Sequence, residues 1–350
     1  MKYEEEKKYI GNREQLFRVK KVKLQDGKAK DVTMLDVENR SGMQFSVNPD
    51  RGMDIPYLNF KGENIGYISP CGIVSPEYFD DKELGFLKSF TAGFLTTCGL
   101  NMAGAPCEYK EKAYGLHGNI SHTPAENYSY EIIEDVELPY TEIKGTVKDA
   151  VIFGPKLTLN RHIRCYYKEK RIILKDKVTN EGYKKVCHMI LYHCNIGYPI
   201  LSPQSEIYIP TISMRSRNAH AEEGKASWMK MQEAEPDYEE MCYYHTLASD
   251  CEKKSTVAIY NPTLEIGIAI EIMTDTLDHF IQWKMMGAGE YVMGLEAGNT
   301  TIDGIENAIQ NGSMKYLCAG ESIEYQLTFQ ILEGSKEFEN VKNGGRTNGK

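Results

Sequence analysis

Three strand ends in this 350-residue chain set an ionisable side chain near a glycine. They are Leu116-His117-Gly118, Tyr192-His193-Cys194-Asn195 with Gly197 beyond it, and Gly294-Leu295-Glu296-Ala297-Gly298-Asn299. Imidazole and carboxylate groups exchange protons close to neutral pH, so two histidines and a glutamate converging in one cleft would supply a general acid and a general base. Each site alone is ordinarily structural. His193 closes the apolar run that begins at Met189, where a core histidine bonded to a backbone carbonyl is the common case. The recurrence of the pattern at three strand ends is what points to chemistry.

Other chemistries lack their marks. Cys187-His188 and His193-Cys194 look like a metal-ligand cluster, but strand alternation puts Cys187 and His193 on one face and His188 and Cys194 on the other. Four ligands on opposite faces cannot meet one ion, so no metal is expected. Neither Gly-x-Gly-x-x-Gly nor a phosphate-binding loop occurs, and no nucleotide or other cofactor is expected. No Gly-x-Ser-x-Gly elbow marks a serine nucleophile. A glycosidase needs a second carboxylate beside Glu296, for which Asp54, Asp275, Asp278 and Glu290 are weaker candidates.

The elements that must position these groups are strands. β-Branched and aromatic runs recur at 15–24, 32–38, 43–47, 128–133, 141–147, 156–167, 171–179, 185–193, 207–213, 256–260, 266–272, 279–285, 291–296 and 322–332. Asp26-Gly27, Ser41-Gly42 and Asn180-Glu181-Gly182 supply turns between them. Ser75-Pro76-Glu77 carries a helix-start signature, which predicts a helix from 77 to about 90. Residues 91–107 are small and Gly-rich, and 214–250 form an excursion of undetermined structure. With long helices nearly absent, the chain reads as all-β, a sandwich or barrel. It is expected to form one domain over 1–340, followed by a disordered tail at 341–350.

The net charge of −9 argues against nucleic acid or an anionic membrane surface as a partner. No apolar stretch is long enough to span a bilayer and the N-terminus is rich in Glu and Lys, so a cytoplasmic protein is expected. Nine scattered cysteines without a Cys-x-x-Cys fit reduced thiols in that compartment.

Taken in order, Asn48-Pro-Asp-Arg51-Gly-Met-Asp54, Gly93-Phe-Leu-Thr-Thr-Cys-Gly-Leu-Asn101, Leu116-His117-Gly118, Leu191-Tyr-His193-Cys-Asn195-Ile-Gly-Tyr-Pro199 and Gly294-Leu-Glu296-Ala-Gly-Asn299 form a series. This series resembles the aldose 1-epimerase (galactose mutarotase-like) superfamily, most nearly a bacterial branch that carries a domain-of-unknown-function label. The likeness spans about 30–332. It implies a large antiparallel β-supersandwich with few short helices, and an isomerase that interconverts the α and β anomers of an aldose through the open chain. It further implies His193 as catalytic acid, Glu296 as catalytic base and His117 as a sugar ligand. Arg51, Asn101, Asn195, Trp283 and Asn299 are the further candidates for substrate contact. The family usually has Pro after the base, where this chain has Ala297. Two alternatives accompany this reading: a non-catalytic carbohydrate-binding protein, or a related sugar isomerase or epimerase acting on a modified or phosphorylated sugar. The partner expected in every case is a small carbohydrate; oligomeric state is not legible.

Overall fold

Two large antiparallel sheets face each other across a shared apolar core. The structure is a computed structural model and describes residues 2–344. One sheet has 12 strands; its central path runs from Asp54–Phe60 through Leu95–Leu100, Val186–Gly197, Glu290–Gly298, His279–Gly287 and Met241–Leu247 to Thr211–Ser216. The other has eight strands, in the order Ala125–Ile133, Tyr140–Ala150, Lys156–Tyr166, Arg171–Asn180, Ser322–Glu333, Ile266–Met273, Lys254–Asn261 and Glu206–Tyr208. The all-β supersandwich expected from the sequence is the observed fold. Alternation explains how each strand serves it: in Arg171–Asn180 the residues Ile172, Leu174, Asp176 and Val178 are buried, and Lys175 and Lys177 are exposed. The inward rows of the two sheets interlock, as where the Phe94 and Phe329 rings meet edge to face at 5.0 Å.

The helix predicted at 77–90 does not form. Ser75 does cap Glu77 N, but only the 3-10 turns Pro76–Tyr78 and Gly85–Lys88 follow. Asp80 breaks the run: its carboxylate takes Lys82 N and Lys88 Nζ, and a Cβ at Gly85 would stand 2.4 Å from its Cγ. Within 214–250 the structure adds a strand that the sequence reading left out, Met241–Leu247. The last helix, Ser335–Lys342, takes in Val341, which is buried; of the tail expected at 341–350, residues 345–350 lie outside the described residues. Among the described residues no helix is long and apolar enough to cross a membrane.

One polar assembly sits inside this core. Arg161, from the eight-stranded sheet, is fully buried and makes a bidentate pair with Asp176 at 2.9 and 2.7 Å. It reaches across the sandwich to Asp54 Oδ1 at 3.1 Å and Thr97 Oγ1 at 2.8 Å on the twelve-stranded sheet. Tyr192, next to His193, donates its hydroxyl to Asp176 Oδ2 at 2.7 Å. Burial works against the guanidinium charge, but Asp176 and Asp54 outweigh it and raise the Arg161 pKa. Replacing Arg161 by Met would strand two carboxylates in the core and is expected to cost about 3–5 kcal/mol of stability. Arg164→Met, on the outer face of the same strand, is expected to cost less, about 1 kcal/mol, because its partner Glu142 keeps Lys144. Urea denaturation of the two variants checks this; equal midpoints would remove the core assembly from the account.

Candidate active site

Alternation along Val186–Gly197 turns Tyr192 and Cys194 into the core and His193 out onto the far face of the twelve-stranded sheet. His188, on the inward face, is spent on Leu100 O and the Tyr325 hydroxyl. Across the strand pair His193 lies directly opposite Glu296, which is in turn opposite Ile281. The next row on the same face runs Asn195, Gly294, Trp283, Cys242, and Arg217 joins it by bonding Cys242 O through its backbone. Directly opposed residues project to the same side of a sheet, so His193, Glu296, Trp283 and Cys242 of these rows form the floor of one site.

That floor underlies a cavity of about 540 Å³ lined by His117, His193, Glu296, Trp283, Arg217 and Glu240, with apolar walls. His193 Nε2 stands 3.3 Å from Glu296 Oε1. The His193 ring is met edge to face by Phe90 and Trp283, each at 5.4 Å, and by His117 at 5.6 Å. Gly294 makes room for the carboxylate, since a Cβ there would stand 2.4 Å from Glu296 Oε1. His117 arrives on a separate loop at a φ of +60°, held by Gly104 O and Gly99 N. Gly118 lets that loop close on its neighbours, because a Cβ there would stand 2.3 Å from Met102 O.

His117 Nδ1, His193 Nδ1 and Glu296 Oε1 are buried without a hydrogen-bond partner within the chain. Buried polar groups are rarely left so, and their convergence in one cavity marks a place where a ligand completes the bonding. Burial raises the Glu296 carboxyl to about 8, with Glu240 adding to the effect and Arg217 opposing it. Burial lowers His193 to about 4 against a smaller opposing effect of Asn195. It also holds His117 well below the usual histidine range, reinforced by His193 and Arg217. Near neutral pH the His193–Glu296 pair therefore keeps a single proton, carried by the Glu296 carboxyl beside a neutral His193 ring. One acid and one base side by side can exchange protons with a ligand between them.

The structure brings together His117, His193, Glu296 and Trp283, and withdraws four of the other candidates. Arg51 is a correction: its guanidinium is buried under Ser121 O, Val74 O, Ser89 O, Thr91 Oγ1 and His122 Nε2, away from the cavity. Asn299 is another, its amide bonding Ile190 N, His188 O and the Tyr325 hydroxyl. Asn101 bonds Cys187 O, and Asn195 bonds Ala92 O and His193 O, so each amide braces backbone instead of lining the cavity. Glu240 and Arg217 were not marked as site residues by sequence. Glu240 accepts from Trp283 Nε1 at 2.6 Å, and Arg217 Nε donates to Asp303 at 2.8 Å. The signal for Arg217 was its place just after a strand; the signal for Glu240 was its place just before one. Of the arginines available for a phosphate, Arg161 is in the core, Arg164 faces Glu142, and Arg215 lies over the Tyr244 ring; Arg217 alone among them lines the cavity.

A family model described as a domain of unknown function, DUF4432, matches residues 29–331. The chain belongs to that family. Among solved structures, a candidate aldose 1-epimerase from Klebsiella pneumoniae superposes with a TM-score of 0.90 at 25% identity, over 94% of this chain and 86% of that one. A galactose mutarotase-like protein from Clostridium acetobutylicum gives 0.65 at 11% identity, over 91% and 99% of the two chains. A galactose 1-epimerase from Lactobacillus acidophilus gives 0.59 at 12% identity, again over 91% and 99%. The latter two establish likeness of fold. No curated protein matches the sequence. The resemblance read from the ordered motifs is thus borne out at the level of fold and structural relatives, and this DUF4432 chain has the galactose mutarotase-like sandwich.

The charge state of the cleft can be observed directly. In ¹⁵N NMR of histidine-labelled protein, His193 is expected to remain a neutral ring at pH 6 and to take a proton only near pH 4. An imidazolium at pH 6 would overturn the protonation scheme given above.

Proposed function

We propose that this DUF4432 protein is an aldose 1-epimerase that interconverts the anomers of an aldose through its open-chain aldehyde. The observation that carries the reading is the His193 Nε2 to Glu296 Oε1 separation of 3.3 Å on the cavity floor. Anomer exchange needs proton transfer at two oxygens bonded to the same carbon, so its acid and base must stand side by side. The printed description of the Klebsiella relative as a candidate aldose 1-epimerase supports the same reaction.

In the proposed cycle Glu296 takes the proton from O1 while the C1–O5 bond breaks and O1 becomes the aldehyde oxygen. For this the pair's proton passes from Glu296 to His193 Nε2 as the sugar binds, and His193 gives it to O5. Rotation about C1–C2 presents the other face of the aldehyde, and closure returns both protons. In this cycle His117 holds the ring-oxygen side and Trp283 lies against a sugar face. The step conserves protons and electrons and calls on no cofactor.

Positioned acid–base groups contribute roughly 10²–10⁴-fold each. Glu296→Gln and His193→Asn are each expected to lower kcat/KM for anomer exchange by that order, followed by NMR exchange spectroscopy or a coupled assay. Wild-type rates in both variants would exclude the assignment. Gly294→Ala, which pushes a methyl against Glu296 Oε1, is expected to lose activity comparably while keeping its fold by circular dichroism. The pH profile of kcat/KM should be flat between about 4, where His193 takes a second proton into the pair, and about 8, where Glu296 gives up the last one. Below that window the base is lost, and above it the acid. Sugar binding without exchange would instead favour a carbohydrate-binding protein.

A further inference from the structure

Beyond its acid–base pair the cleft is poor in groups that could meet a sugar's hydroxyls. With His193 and Glu296 committed to the anomeric centre, the charged or imidazole side chains left along the lining are His117, Arg217 and Glu240. Two of these are partly committed as well: Glu240 already accepts from Trp283 Nε1, and Arg217 spends its Nε on Asp303. The walls are Phe86, Phe90 and Ile302, all buried, with Leu116 half-buried beside them, while Leu84 and Leu87 stand 56% and 50% exposed at the rim. Leucines left half in water beside a cavity are a surface that gains from a ligand's apolar group.

Charge narrows the ligand further. The Arg217 cation is matched by Asp303, which also accepts from Tyr244, and Glu240 adds a carboxylate to the lining. No unmatched cation remains among these groups to receive a phosphate, sulfate or uronate. The ligand that fits is neutral.

The anomeric carbon has two flanks, C2 and the ring oxygen with C5. Phe90 and Trp283 pack edge to face with the His193 ring, and Phe86 and Leu116 continue the apolar wall beside His117. A hydroxymethyl group on that side would give up water for an apolar surface, at a cost that a methyl group avoids. From this we infer that the cleft selects neutral 6-deoxyaldoses, sugars with a methyl group on C5, over their 6-hydroxy parents. This deepens the anomer-exchange reading and rests on its placement of the anomeric carbon at His193 and Glu296.

Matched pairs test it: D-fucose against D-galactose, L-fucose against L-galactose, D-quinovose against D-glucose, and L-rhamnose against L-mannose. In each accepted pair the 6-deoxy sugar is expected to have the higher kcat/KM for anomer exchange, by roughly 10- to 100-fold, the range a hydroxyl-for-hydrogen change makes in an apolar pocket. Parity, a preference for the parent, or an equal gain with 2-deoxy sugars would overturn the inference. The double variant Leu84→Asn, Leu87→Asn, both at the exposed rim, is expected to shrink the ratio several-fold at unchanged melting temperature; an unaltered ratio would count against the wall. Saturation-transfer NMR separates the two levels of the argument. If no sugar is exchanged, the catalytic reading fails, yet tighter binding of the 6-deoxy member at the cleft would still support the selectivity, and equal or weaker binding would refute it.

Discussion

A guanidinium sealed between two sheets holds this molecule's geometry together. Arg161 takes both oxygens of Asp176 on its own sheet and reaches Asp54 and Thr97 on the other. A buried ion pair need not be more stabilising than a well-packed apolar substitute, since removing charges from water offsets much of their attraction. Its consequence here is positional. Asp176 also receives the Tyr192 hydroxyl, and with Tyr192 pinned inward His193 must point outward. A slip of one residue would turn His193 into the core and Tyr192 into the cleft.

From that constraint the site follows by sheet geometry. The register that faces His193 with Glu296 also aligns Asn195, Gly294, Trp283 and Cys242 in the adjoining row. Gly294 is the empty place in that row, and the Glu296 carboxylate occupies it. Cleft-facing and core-facing residues therefore alternate through the same strands, and the stability of one face fixes the other.

How much of this was legible in the sequence depends on how far each side chain's partners lie along the chain. The fate of His188 and Cys194 followed from alternation within one strand, and the structure puts both on the core side. The ordered motifs carried the sandwich. The direction of Arg51 did not follow, because its carbonyl partners come from 74, 89 and 121, loops whose approach no local pattern encodes. Asn195 and Asn299 sit in the right motifs, yet their amides serve unpaired backbone groups, a demand that appears only once strands are paired. The helix-start signal at Ser75 was genuine as a cap, but Asp80 and the burial of Phe86 outweighed propensity downstream. That misread segment supplies the apolar wall, and Glu240 and Arg217 lay in the stretch with no pattern to read.

The enclosure also bears on the proposed chemistry. In water a carboxylate and an imidazolium would both be charged near pH 6; here burial moves Glu296 up and His193 down, which favours the neutral arrangement of the same single proton. Ring opening as proposed begins from carboxylate and imidazolium and ends with both neutral, because Glu296 has gained the O1 proton and His193 has given up its own. The apolar walls thus favour the pair as it stands at the open-chain stage, the intermediate that both anomers share. In the proposed cycle the charged arrangement arises only as the closed sugar binds beside the pair. Both anomers approach the same intermediate, so one pair can serve both directions, with each group giving back on closure what it took or gave on opening. A more solvated pair would hold its charges more firmly and lose part of that balance. The scarcity of polar groups in the cleft, which narrows the choice of sugar, is on this account also what sets the proton in place.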